Sequence, residues 1–384
     1  MKLSTDRILT THVGSLPRGA TLVEQLNNKE TGEPYDRAAF DEVVAAAVDD
    51  AVAKQVAVGV DIVSDGEASK IGYATYVKDR LTGFEGHYTR PPHLDLAPHP
   101  ELREALGRML GKQTFRRAGC VGPVALVDRE AMQTDVANLR AAVTRHRAFD
   151  AFMNAASPGV ISAFQSNRYY PTHDAYVEAI ADAMKPEYDA IAAAGFVLQL
   201  DCPDLAMARH TGFQEVDEAE FLRRAELQVE ALNHALRDIP AGLMRLHICW
   251  GNYEGPHDHD IALEKILGIV LKAKPSGILF EAANPRHRHE WAVWADAPLG
   301  DEKVLIPGCI MSTTNYVEHP ELVAQQLVQY AQIVGRERVI AGADCGFGSF
   351  VGSSRVDPAI AYKKLRALVE GAERASQQLW GRAR

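Results

Sequence analysis

Nine short apolar runs, each closed by turn residues, recur along this chain and alternate with helical patterns, and no other feature limits the fold as much. The runs are ILTTHVGS (8–15), VDIVSDGE (60–67), AGCVGPVA (118–125), GVISAFQS (159–166), FVLQLDCP (196–203), RLHICWGN (245–252), GILFEAAN (277–284), VLIPGCIM (304–311) and VIAGADCG (339–346). Each reads as a buried strand. Residues 40–59, 174–195, 218–236 and 321–335 lie between them and read as helices. Strands that alternate with helices pair in parallel through crossover connections. Eight such units close a (β/α)8 TIM barrel, and the ninth run is left for an extra strand or a loop excursion. The rival is an open doubly wound sheet, but no G-x-G-x-x-G follows an early strand to support a nucleotide-binding version. The expectation is therefore an α/β chain in which residues 1–384 form a single (β/α)8 barrel. Residues 84–117, rich in Pro, His and charge and without a strand signal at their start, read as a long rim excursion or lid. The terminal ERASQQLWGRAR reads as a last helix with a frayed basic end.

At 384 residues and 47% hydrophobic content, the chain can bury a large core. Its formal net charge of −10, with no basic patch, argues against nucleic acid or a membrane surface as partner. No apolar stretch reaches the length of a signal peptide or a membrane span, which makes the cytoplasm the expected location. Five cysteines suit free thiols in a reducing compartment better than a disulfide framework. A homo-oligomer is compatible with the chain, and nothing in the sequence fixes its state.

Polar residues cluster just after the apolar runs, which in a parallel barrel is the C-terminal rim where active sites are built. Four of them are of zinc-ligand type: His247, Cys249, Glu281 and Cys345. His247 and Cys249 stand two apart in a β-like run and so share a face. Glu281 inside ILFEAA is costly to bury unless it is paired or metal-bound. Zn²⁺ held by one neutral imidazole, one carboxylate and two thiolates carries a net charge of about −1, a poor Lewis acid toward a carbonyl but a suitable partner for a substrate thiol. Coordination strips a thiol of its proton while keeping the sulfur nucleophilic. The bland alternative for any one of these cysteines is a small core residue. Cys120, Cys202 and Cys309 are assigned to packing, and HDHD (257–260), in a Gly/Pro loop, to solvent.

Six motifs point to a family. THVGSLPR (11–18), SDGE (64–67), LQLDCPDLA (198–206), HIC (247–249), FEAANPR (280–286) and GADCGFGS (342–349) occur in the order found in the C-terminal catalytic domain of cobalamin-independent methionine synthase. The resemblance covers nearly the whole chain. HICWGN, EAANPRH and STTNYVEHPE look closer to the single-barrel branch that includes epoxyalkane:coenzyme M transferase. The resemblance implies zinc-dependent transfer of an alkyl group to a thiol, with His247, Cys249, Glu281 and Cys345 as zinc ligands. It implies thiol-substrate contacts at Val13, Ser15, Glu67 and Asp201, the two carboxylates pairing with a substrate ammonium. A helix N-cap is the alternative role for Asp201.

The chain departs from the family pattern in two places. The tryptophan that stacks the folate, expected within 160–170, is absent, leaving Tyr169 and Tyr170 as the nearest aromatics. The proton-donating histidine and its neighbouring aspartate fall at Thr313 and Met311. Both changes count against methyltetrahydrofolate as the donor. Methyl transfer to homocysteine is the first expectation. Epoxide opening by a sulfonated thiol such as coenzyme M is the second, and it needs a basic group for the sulfonate and an acid for the alkoxide, with Arg286, His287, Arg168, Tyr169 and His12 as candidates. Two readings of another class are a metal-independent decarboxylase on the same fold and a non-catalytic zinc-binding protein.

Overall fold

The computed structural model describes residues 1–110, 115–352 and 355–381. Its strands are β1 (Leu9–Thr10), β2 (Ile62–Val63), β3 (Phe84–Glu85), β4 (Gly119–Cys120), β5 (Asp150–Ala156), β6 (Val197–Asp201), β7 (Met244–Ile248), β8 (Gly277–Phe280), β9 (Val304–Pro307) and β10 (Ile340–Ala341). β2, β5, β6, β7, β8 and β9 form a six-stranded parallel sheet in that order. Parallel bridges at Leu305–Val339 and Gly308–Gly342 carry β9 on to β10, which pairs in parallel with β1. Side chains join β1 to β2: the Thr10 amide donates to Asp61 Oδ2 at 2.9 Å, and the Thr11 hydroxyl to the Ile62 carbonyl at 3.0 Å. Eight parallel strands thus make a (β/α)8 barrel.

Two of the nine expected strands are placed differently. Residues 159–166 belong largely to a helix, Pro158–Phe164, because Ser157 Oγ accepts the Val160 amide at 3.0 Å and Pro158 opens the first turn. That cap starts a helix even in a largely apolar segment. The barrel strand of this unit is β5, whose Asp150 and Asn154 break up its apolar run. The run at 118–125 supplies β4, which pairs antiparallel with β3 outside the barrel. The excursion at 84–117 therefore does open on a strand, and it carries a helix at Pro100–Leu110. Its residues 111–114 lie outside the described residues, as do 382–384 of the tail. The last helix spans Pro358–Trp380, with the Asp357 carboxylate accepting the amides of Ala359 and Ile360. No helix among the described residues is long and apolar enough to cross a membrane.

Arg245 on β7 shows how the barrel interior is used. It is fully buried. Its guanidinium donates to Gln199 Oε1 on β6, to the Thr11 hydroxyl and to the His12 carbonyl, at 2.8, 2.9 and 2.9 Å, and stacks over Phe152 of β5 at 3.8 Å. A side chain that touches two other strands and the segment leaving β1 lies inside the ring. Alternation along the strand then turns His247 and Cys249 to the same interior, each about 7 Å nearer the C-terminal rim than the one before.

Candidate active site

At that rim Cys249 Sγ lies 3.8 Å from Cys345 Sγ, which follows β10. The ligand atoms of His247, Cys249 and Cys345 all fall within 4.8 Å of one another. Two Zn–S bonds of about 2.3 Å at the tetrahedral angle set their sulfurs about 3.8 Å apart, so this donor set fits zinc. The Cys249 thiol donates toward Cys345, which pushes Cys249 up and Cys345 below its usual thiol range. Burial would lower the His247 imidazole, but Asp201 and the Cys345 thiolate outweigh it and raise it to about 9. The trio thus carries protons that a bound cation would displace.

Glu281, the fourth residue of the expected set, stands beside the trio. Its Oε1 accepts the Trp250 amide at 2.7 Å and its Oε2 the Asn284 amide group at 2.9 Å. It lines a small neighbouring cleft together with Cys345, Met311 and Thr313. Asp344 ties the two rim segments together, its carboxylate accepting the backbone amides of Ala282, Ala283 and Asn284 at 2.7–2.9 Å. Gly308 makes room for this clamp, since a Cβ there would sit 2.3 Å from Asp344 Oδ1 and 2.7 Å from its backbone. Gly308→Ala is expected to cost about 1–3 kcal/mol, a typical overpacking penalty. It should also lower metal retention, measured as zinc content after desalting.

Asp201, at the end of β6, points inward. It accepts from Gln199 Nε2 at 2.9 Å and Asn154 Nδ2 at 3.1 Å, and lies 3.6 Å from His247 Nδ1. Its carboxylate does not cap the short turn that follows, whose N-cap is Cys202. Asn154 also donates to the Val13 carbonyl at 2.7 Å, and it fills the space where a side chain on Gly14, at φ 140°, would be. Ser15 packs its hydroxyl against Gly346. Glu67 is buried in the left-handed region at φ 55°. Its Oε2 has no hydrogen-bond partner among the described residues. Burial raises its carboxyl to about 8, against the pull of Lys70 and Arg18 and with the help of Asp201.

A cavity of about 330 Å³ joins these parts: Val13, Ser15, Glu67, Asp201, His247, Cys249 and Cys345 all line it. Two of the residues expected to contact substrate do not line this cavity. Tyr169 is 53% exposed and packs edge-on against Tyr170, and Arg286 is exposed beyond the Glu281 cleft. Arg168 is exposed and stacks on Tyr88, while His12 is buried on Gln55. The cationic groups of the cavity are instead Arg90, Arg103, Arg117 and Arg355, three of them from the excursion. Nη2 of Arg90 and Nη1 of Arg355 are buried without a hydrogen-bond partner among the described residues. Phe115 stacks on Phe350 beside them at 4.5 Å. The hint in the sequence was RPPH and TFRR flanking a lid in an acidic chain; no motif marked them.

The HDHD loop also differs from expectation. His257 is buried and the side chain of Asp260 is only 2% exposed, because Asp260 Oδ2 accepts from both His257 and His287 at 2.9 Å and pulls the loop inward. Only Asp258 and His259 remain exposed.

No family model matches the chain. A methionine synthase of Saccharolobus solfataricus is 25% identical over 388 residues, covering 96% of this chain and 95% of that protein. The methionine synthase of Sulfurisphaera tokodaii is 24% identical, covering 96% of this chain and 93% of that one. Among solved structures, a B12-independent methionine synthase from a Shewanella species, in complex with selenomethionine, superposes with a TM-score of 0.72 at 19% identity. A putative vitamin-B12-independent methionine synthase from Listeria monocytogenes gives 0.66 at 19%. Both superpositions cover 98% of this chain and all of the other. Along 96% of its length the chain is thus similar to methionine synthases, and its barrel has the fold of the B12-independent structures.

Proposed function

We propose that the protein is a zinc-dependent methyltransferase that alkylates the thiol of homocysteine. The observation that carries this reading is one cavity lined by a paired-cysteine and histidine donor set at one part and by the Glu67 and Asp201 carboxylates at another. The relatives' names support the acceptor. His247, Cys249 and Cys345 would hold Zn²⁺, with Glu281 alongside. When bound, the ion supplies a cation on which a thiol loses its proton and the sulfur stays nucleophilic.

The chain's own groups do the positioning. Glu67 Oε2, buried without a partner, and Asp201 suit a substrate ammonium. Ser15 and the backbone around Val13 suit the carboxylate of the same amino acid. In the transfer a sulfur–carbon bond forms as the donor's bond to that carbon breaks, and the leaving group keeps the electron pair. Alignment of the two partners in one cavity lowers the entropic part of the barrier. The four arginines and the Phe115–Phe350 pair suit a donor that is anionic and flat.

X-ray absorption on the zinc-loaded protein tests the reading. Homocysteine should raise the number of sulfur ligands on the metal from two to three, and alanine should leave it unchanged. No change with any thiol sinks the proposal. The same arginines favour one second reading, a sulfonated thiol, and a third sulfur from coenzyme M but not homocysteine would select it.

A further inference from the structure

A second group of metal-ligating side chains lies away from the cysteine pair. His93 and Asp95 come from the excursion and His210 from the loop after β6, and their ligand atoms all lie within 4.8 Å of one another. Asp95 and His210 are buried to 1% and 0% exposure. Asp95 Oδ2 accepts the Tyr253 hydroxyl at 2.6 Å and the His257 amide at 3.1 Å. Its Oδ1 and His93 Nδ1 are buried with no hydrogen-bond partner among the described residues, while His210 turns Nε2 to the Tyr253 hydroxyl at 3.3 Å and Nδ1 to Asp260 Oδ1 at 3.4 Å. A buried polar atom left unpaired costs about 1–3 kcal/mol. Two in one cluster of ligand-type side chains call for something that both can bind.

We propose that His93, Asp95 and His210 form a second divalent-cation site on the cavity wall. Two imidazoles and one carboxylate are the donor set that takes Zn²⁺, Co²⁺, Mn²⁺ or Fe²⁺ while leaving coordination positions free. The shell around these donors is already built. Tyr253 and the His257 amide hold the second oxygen of Asp95, and Asp260 stands 3.4 Å from His210. Such outer partners fix the orientation of ligands. His93 and Tyr253 both line the cavity that the cysteine site opens into. A cation here would face an oxygen or nitrogen donor of the second substrate. The site does not depend on the thiol-transfer reading, since it shares no ligand with it.

Cobalt titration of the chelator-treated full chain tests this. The wild-type protein should take up two equivalents of Co²⁺, one with intense thiolate-to-metal ultraviolet absorption and one with weak visible bands only. Asp95→Asn and His93→Gln should each lose the second equivalent and keep the thiolate bands, with unchanged circular dichroism. The Cys249→Ser, Cys345→Ser double variant should show the reverse. Saturation of the wild type at one equivalent carrying thiolate bands overturns the proposal, as does a second equivalent indifferent to both Asp95→Asn and His93→Gln. A single equivalent without thiolate bands, abolished by Asp95→Asn, supports this site and refutes the thiol-transfer reading.

Discussion

A Cys345→Ser protein is expected to lose most of its zinc and essentially all methyl transfer, and Cys249→Ser should do the same. Removing a residue that only supports a ligand typically lowers metal affinity or activity by about 10–100-fold. Replacing a ligand itself should exceed that, because a serine hydroxyl is a hard, protonated donor where a soft thiolate is wanted. The site is also poorly able to compensate. Cys249 is 4% exposed and its sulfur accepts the Gly251 amide at 3.3 Å, so neither it nor its neighbours can swing to a new position. Zinc per chain after dialysis, read beside turnover with homocysteine, decides the matter. Full metal content in either variant would show that the pair is a packing contact.

Glu67→Gln should produce the second large effect, a split between stability and binding. Burial lifts this carboxyl from 4.5 to about 8. Since the folded-state value lies above the unfolded one, the folded protein holds the proton more tightly, and stability declines as pH rises from 4.5 to about 8. The full penalty applies above that range and none below it. Glutamine removes it, so the variant should melt higher than the parent above pH 8, by about 1 °C for each kcal/mol relieved. At pH 4 the two should coincide. On the proposed reading the same change also removes the carboxyl that, once ionised, would pair with the substrate ammonium. Hydrogen bonds to charged groups are worth about 1.5–3 kcal/mol, which corresponds to a loss of roughly 10- to 150-fold in kcat/KM for homocysteine. A thiol with no amino group should show little loss. Equal losses for both would assign Glu67 to the fold rather than to substrate.

Most of the barrel is legible in the sequence, since seven of its strands follow from apolar runs bounded by turns. The unit around Ser157 is the instructive exception. A cap of one serine and one proline outweighs a largely apolar run of eight residues that reads as a strand, and the true strand carries Asn154 because the barrel interior is polar there. His247 and Cys249 could be paired from their spacing alone, because a strand repeats its facing every two residues. Arg90, Arg117 and Arg355 could not, because they reach the cavity from loops with no periodicity to extrapolate.

The sequence by itself determined which residues can face inward on each strand, because facing is a local property of backbone geometry. It also supplied the two thiolates, the imidazole and the buried carboxylates from which the chemistry is argued. Only the tertiary structure decided which of them meet. Closure of the ring brings Cys345 to 3.8 Å from Cys249 and puts Glu67 and Asp201 in one cavity with them. It also turned the HDHD loop inward and left Tyr169 and Arg286 outside. Those outcomes depend on distances between segments far apart in the chain, set by how strands and loops pack around a common axis, and no local pattern encodes them.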